Sequence, residues 1–411
     1  MYLTLLSIIN QYRTALLFFL YLSDNYKLKS ALMMNKLKQI WLNYRLTKVL
    51  LAIILLSVCF TFDSCKVVRF IVYNFADIGD HKKFPSRPVH RGDETFSFVI
   101  DTHQKVLERL QLNDQRVPFE SYLKDNKTVA FLIIKNDSIQ YERYWNGYNA
   151  ASIVPSFSVA KSITSILIGC ALDDKLIQSV DEPITNYIPE LRKNGFDRVT
   201  IEHLLQMTSG MDFNEGYYNP FGHVATFYYG TNLRKAIKKL KLKRAPGENF
   251  EYVSGNTQLL GLILERALKT KTVSTYLQEK LWIPLQMEHD ASWSLDRQKE
   301  GLEKTFCCIN ATARDYAKIG RLYLNGGNWN GKQIVSRSWV EQSTTPSQSS
   351  GSESYYQYQW WIPSKGTFLA QGILGQYIYV DPSKNLIIVR LGANKGEADW
   401  WQVFAALSEI Y

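Results

Sequence analysis

The sequence predicts an α+β protein, an α/β sandwich whose antiparallel sheet is flanked by helices and interrupted by a mostly helical insertion at about 172–345. Three observations predict it. Two strand-like runs joined by a tight turn precede the insertion, strand patterns return near the end, and Glu397 to Tyr411 closes the chain with a helical pattern.

In chain order, the first element is the apolar run Val49 to Phe62, preceded by Lys36, Lys38, Arg45 and Lys48. Its 14 uncharged residues are short for a helix crossing roughly 30 Å of hydrocarbon. They suit the apolar core of a secretory signal behind a basic leader. A start at Met33 or Met34 would bring that signal near the beginning of the product. Cys65 lies where a bacterial lipoprotein signal carries its acylated cysteine; an uncleaved membrane anchor, extended by Val67 to Tyr73, is the alternative. Both place the bulk of the chain beyond the cytoplasmic membrane, periplasmic or membrane-anchored. Residues 1–65 are therefore read as signal or anchor, 66–119 as a linker or wrapping segment, and 120–411 as the main domain. The middle assignment rests on Pro85, Pro88 and Gly92 in a stretch without periodicity.

In the main domain, Thr128–Lys135 and Ser138–Tyr144 flank Asn136-Asp137, turn residues placed for a hairpin. An apolar helix opens near Ser158, and the texture from Cys170 to Thr345 is helical, broken by Gly and Pro loops. Strand patterns then return at Tyr356–Trp361, Gly375–Val380 and Leu386–Leu391.

Composition bounds the partners. Hydrophobic content of 46% against 21% charged residues reads as an ordinary globular protein. The net charge of +10 is scattered, and no nucleic-acid motif accompanies it. Its densest part, Arg234 to Arg244, interleaves lysines with apolar residues, as a solvated helix face or a basic amphipathic helix touching anionic lipid would. Five cysteines show no metal-ligand spacing, and adjacent Cys307 and Cys308 are not expected to bond each other. Neither a metal nor an organic cofactor is expected.

The chemistry concentrates in three segments. Ser158-Val-Ala-Lys161 opens the apolar helix, with the serine and lysine on one face, one turn apart. The first turn also offers unpaired N–H groups to developing negative charge. A serine hydroxyl is a poor nucleophile until a base takes its proton, and a buried lysine can do so once its pKa falls. Tyr252 and Ser254 stand two apart in a turn before a second apolar helix, where a phenol held near a lysine ammonium can be deprotonated and act as a base. Gly372 in a later strand lets substrate approach the backbone, and the N–H of Ile373 paired with that of Ser158 could form an oxyanion hole.

Together and in this order, Ser158-x-x-Lys161, Tyr252-x-Ser254 and the Gly372 strand resemble the serine β-lactamase and penicillin-binding-protein superfamily over about residues 120–411. The class C-like segments Thr200–Gly210 and Ala311–Gly320 add to the likeness, and the motifs look most like those of 6-aminohexanoate-dimer hydrolase and related carboxylesterases. The resemblance implies a β-lactamase/transpeptidase-like fold and a serine hydrolase that forms an acyl-enzyme on Ser158. It implies that Lys161 activates the serine and that Tyr252 relays the proton to the leaving group. It further implies an oxyanion hole at Ser158 and Ile373, and substrate contacts from Ser254, Gln371 and Gly372.

Two departures bear on the substrate. Ser254 stands where class C β-lactamases keep asparagine, and Ala370 where a lysine or histidine would help hold a substrate carboxylate. Both argue against efficient β-lactam hydrolysis and for a small-molecule amide or ester. A peptidoglycan D-amino-acid peptidase and a non-catalytic binding protein are the rival readings. His203 lies in a helix-start segment of structural character. Neither a Gly-x-Ser-x-Gly nor a His-Glu-x-x-His motif occurs, against α/β-hydrolase and zinc-protease chemistry.

Overall fold

The structure is a computed structural model that describes residues 17, 33–36, 38–51, 66–73, 75–102 and 107–411. The chain divides into two units, Met1–Ser64 and Cys65–Tyr411. In the first, residues 38–51 are helical and exposed. Residues 52–62 of the apolar run, and Cys65, lie outside the described residues. Among the described residues no helix is long and apolar enough to cross a membrane.

The second unit is built on a central sheet. Its strands are β2 (Val99–Ile100), β3 (Thr128–Lys135), β4 (Ser138–Tyr144), β8 (Tyr356–Gln357), β9 (Trp360–Trp361), β10 (Phe368–Gly372), β11 (Gln376–Asp381) and β12 (Leu386–Gly392). They lie in the order β8-β9-β10-β11-β12-β3-β4-β2, antiparallel except for the β2–β4 pair. The β3–β4 hairpin turns on Asn136 and Asp137 with φ of 51° and 60°, a double positive φ that these two residue types tolerate. Tyr356–Trp361 is not one strand but a second hairpin, folded back at Tyr358 and Gln359 with φ of 37° and 72°.

Strand β3 explains the layering. Its side chains alternate between faces, and both faces are covered, so the run is apolar throughout. Phe131 and Ile133 pack with Phe404 and Leu407 of the closing helix, whereas Ala130, Leu132 and Ile134 join the main core. That closing helix (Trp400–Ile410) is capped by Asp399, whose side chain accepts from Trp401 N and Gln402 N. On the other face lies α2 (Val159–Asp173), the helix announced by Ser158. Every residue from Val159 to Ala171 is buried, as expected of a helix apolar nearly all round.

The insertion holds more than helices. A second sheet joins β1 (Ser86–Val89), β5 (Val154–Pro155), β6 (Ala291–Ser294) and β7 (Ile309–Ala311) in the order β1-β6-β7-β5. Strand β1 falls in the segment read as linker or wrapping chain, and pairs antiparallel with β6 through Arg87 and Trp293. Strands of two to four residues are too short to carry an alternation that betrays them.

Two expectations are corrected. Arg234–Arg244 does not form an amphipathic helix: only Leu233–Ile237 is helical, capped by Asn232, and Leu242 then bridges to Met211. Leu233, Ile237 and Leu240 are buried, so the apolar positions anchor a loop rather than line one helix face. Cys307 and Cys308 do form a disulfide. Cys308 adopts φ of 75°, a left-handed turn that brings neighbouring side chains together, which sequence adjacency alone does not reveal. Cys170 is buried and free.

Candidate active site

Strand β5 delivers the chain to Ser158. Its end is pinned by Ser156 N donating to Ile309 O (2.7 Å), and by the buried Tyr316 hydroxyl donating to Val154 O (2.8 Å) and Ile309 O (2.9 Å). Phe157 then takes φ of 43°, a conformation that bulky residues rarely adopt and that surrounding packing must enforce. Ser158 follows as N-cap of α2, with its hydroxyl at the positive end of a 15-residue helix.

Lys161, one turn on, is 1% exposed. Its Nζ lies 3.0 Å from Ser158 Oγ, 3.1 Å from Ser254 Oγ and 2.8 Å from Phe306 O. Those contacts account for all three ammonium donors. Burial pulls the Lys161 pKa down to about 8, partly opposed by the negative Glu215 nearby. The lysine is thus held where it exchanges a proton near neutral pH.

Glu215 is the component that sequence reasoning missed. It lies on an irregular loop 39 residues from Ser254, and no periodicity or motif marks it. Its carboxylate accepts from Ser254 Oγ (2.6 Å) and Ser254 N (2.8 Å). Because Ser254 donates its hydroxyl proton to Glu215, its lone pairs face Lys161. Ser254, expected to touch substrate, therefore also bridges the lysine to an acid. The Phe306 carbonyl was equally invisible, since it acts through the backbone.

Tyr252 packs between Tyr356 and Trp361, with ring centroids at 6.0 and 5.5 Å. Lys161 Nζ stands 5.2 Å from its ring centroid. Burial pushes the phenol well above its ordinary value, while its hydrogen bond with Ser158 pulls the other way. The expectation of a tyrosine base is corrected: burial keeps Tyr252 a phenol at neutral pH, a proton donor.

Strand β10 closes the other side. A Cβ on Gly372 would lie 2.6 Å from Ser156 O and 3.1 Å from Ser158 N, so only glycine lets the strand come this close. Ile373 follows directly and shares both cavities with Ser158. Among the described residues neither the Ser158 nor the Ile373 amide is spent on a turn or cap hydrogen bond. The turn after Ile373 is held by the buried Arg390, which donates to Leu374 O (3.2 Å) and Gly375 O (2.6 Å). Gln371 lines the cleft and accepts from Trp401 Nε1 at 2.9 Å. Ala370 is wholly buried in the main core.

His203 stands apart from this cluster. Its Nδ1 accepts from Thr200 N at 3.1 Å, closing a capping box at a helix start.

Two cavities open onto Ser158. One, of about 190 Å³, is apolar and runs toward Phe75, Tyr228 and Phe306. The other, of about 210 Å³, is lined by Tyr252, Trp361, Gln371, Tyr377 and Lys395. Among the described residues no cluster of His, Cys, Asp or Glu is arranged to hold a metal ion.

An α+β sandwich that packs an apolar helix against its sheet and sets a serine at that helix's start, 3.0 Å from a buried lysine, defines a class of serine hydrolase. The chain belongs to the beta-lactamase family: the model of that family matches residues 119–400, more than half of the chain. It is 28% identical over 357 residues to a 6-aminohexanoate-dimer hydrolase of Paenarthrobacter ureafaciens, covering 81% of this chain and 88% of that protein. A Bacillus anthracis structure assigned as a 6-aminohexanoate-dimer hydrolase superposes with a TM-score of 0.71 at 28% identity, covering 81% of this chain and 91% of that one. A family VIII carboxylesterase shares the fold, with a TM-score of 0.56 at 17% identity over 70% of this chain and 95% of its own. The resemblance carried by the three motifs is thereby borne out, as are the fold class and the expectation of a serine hydrolase.

Proposed function

We propose that the protein is an exported hydrolase that cleaves a small amide or ester through an acyl-enzyme on Ser158. The observation that carries this reading is the 3.0 Å approach of the Lys161 amine to Ser158 Oγ in a site that lowers the lysine pKa to about 8. Neutral Lys161 takes the Ser158 proton as Oγ bonds the substrate carbonyl carbon. The carbonyl oxygen becomes an oxyanion facing the Ser158 and Ile373 amides. As the tetrahedral intermediate collapses, the bond to the leaving group breaks. The Tyr252 phenol protonates the departing nitrogen or oxygen and is itself reprotonated from Lys161. Water then attacks the acyl-enzyme, passing its proton back through the same groups.

Export is supported by the basic leader and apolar run at Val49 to Phe62. The Cys307–Cys308 disulfide supports it too, because disulfides persist mainly in oxidising compartments. The similarity to 6-aminohexanoate-dimer hydrolase favours amides over β-lactams. So does Ala370, which brings no cation to the strand.

The test is labelling of the protein with a fluorophosphonate and turnover of p-nitrophenyl acetate, beside Ser158→Ala. Both activities are expected in the wild type and neither in the variant. A wild type that neither labels nor turns over ester would leave a binding protein.

Glu215 gives a second test with a definite sign. Its negative charge favours the Lys161 ammonium, so removing it lowers the lysine pKa further. The rising limb of kcat/KM against pH, expected near 8 in the wild type, should move to lower pH in Glu215→Gln. A limb that stays in place or moves upward would mean that the titrating group is not Lys161.

A further inference from the structure

We propose that the acyl part of the substrate is an uncharged, apolar group, a chain of about six carbons or a phenyl ring, housed in the cavity between Ser158 and the residues that follow the helix Lys66–Tyr73. The proposal rests on the acyl-enzyme reading above and adds a substrate class to it.

The direction of the substrate follows from the proton donor. Tyr252, which must reach the leaving group, lines the 210 Å³ cavity and not the 190 Å³ one. The leaving group therefore departs into the cavity that holds Lys395, and the acyl part occupies the other, more apolar one. That apolar cavity has no Asp, Glu, Lys or Arg among its lining residues. Val224, Ala225 and Phe306 form its inner wall, all buried. Phe75 and Ala76 close its outer side, together with Tyr218, whose ring lies 5.2 Å from that of Phe75.

Two polar groups beside the cavity are engaged with other partners. The Tyr228 hydroxyl donates to Asp80 at 2.7 Å, and Lys304 donates to Tyr228 O at 2.6 Å with its Nζ 3.3 Å from the Phe84 ring centroid. The wall is mainly ring faces and aliphatic groups, with the hydroxyls of Ser158 and Ser254 at the end where the acyl bond forms. An apolar cavity of 150 Å³ holds benzene, so 190 Å³ takes a phenyl ring or a chain of about six carbons. A terminal ammonium placed there would find no carboxylate in the lining, and an unpaired buried charge is strongly disfavoured.

The experiment measures kcat/KM for p-nitrophenyl acetate, butyrate, hexanoate and 6-aminohexanoate. Each buried methylene is worth about fourfold, so hexanoate should exceed acetate at least tenfold. The 6-aminohexanoyl ester, of the same length but charged, should fall at least tenfold below hexanoate. Val224→Trp and, at the outer wall, Ala76→Trp fill the cavity from opposite sides. Each should lower the hexanoate-to-acetate ratio at least fivefold, with fluorophosphonate labelling reporting that the fold survives. Rates that are flat or falling with chain length, or an aminohexanoyl ester equal to hexanoate, would overturn the proposal while leaving the hydrolase intact. So would ratios that both tryptophans leave unmoved. Absence of acetate turnover and of labelling in the wild type would overturn both readings together.

Discussion

Lys161→Met is expected to lower kcat/KM for p-nitrophenyl acetate by about a thousandfold, within the range by which a positioned general base accelerates a reaction. Methionine matches the length of the lysine stem and leaves the buried channel filled. The substitution removes the amine that lies 3.0 Å from Ser158 Oγ and whose pKa burial lowers to about 8. The same substitution should not destabilise the protein. Burying the amine carries a desolvation cost, and an apolar residue of similar volume often proves neutral or stabilising at such a place. The carbonyl of Phe306 and the hydroxyl of Ser254 lose a donor, which offsets part of that gain. Ester kinetics beside a thermal melt separate the two effects. A variant within tenfold of wild-type activity would remove Lys161 from the mechanism.

Gly372→Ala should cost about a hundredfold in kcat, the scale of one oxyanion donor. The added methyl would sit 2.6 Å from Ser156 O and 3.1 Å from Ser158 N, both backbone atoms that a rotamer change cannot move. Strand β10 must retreat, and Ile373 N retreats with it. Because the strand also pairs with β11 from Phe368 to Gly372, a stability loss of about 1–3 kcal/mol should accompany it. Unchanged kcat would mean that the Ile373 amide does not bind the transition state.

What was legible in the sequence was what local pattern encodes. The β3–β4 hairpin, the helix behind Ser158 and the strands β11 and β12 each carry their own periodicity or turn residues. Ser158, Lys161, Tyr252 and Ile373 could be named because each sits in a short segment of marked order; the structure sets Ser158, Tyr252 and Ile373 along the cavities and Lys161 directly behind Ser158. Features built from distant backbone were not legible. The second sheet consists of strands of two to four residues that recognise one another only in space. Glu215 reaches the site through Ser254 from a loop without pattern, and Phe306 contributes a carbonyl. Arg234–Arg244 misled for the converse reason. Its apolar residues have helical spacing, yet Leu242 is claimed by a bridge to Met211, and tertiary contact overrides local propensity.

Mass spectrometry under turnover tests for an acyl-enzyme on Ser158 activated by Lys161. The protein is mixed with p-nitrophenyl butyrate, quenched in acid within the first turnovers, and digested. A burst of about one p-nitrophenolate per protein molecule and a butyryl mass increment on the peptide containing Ser158 are expected, both absent in Ser158→Ala. Steady turnover with an adduct on another residue, or turnover that survives in Ser158→Ala, would contradict it.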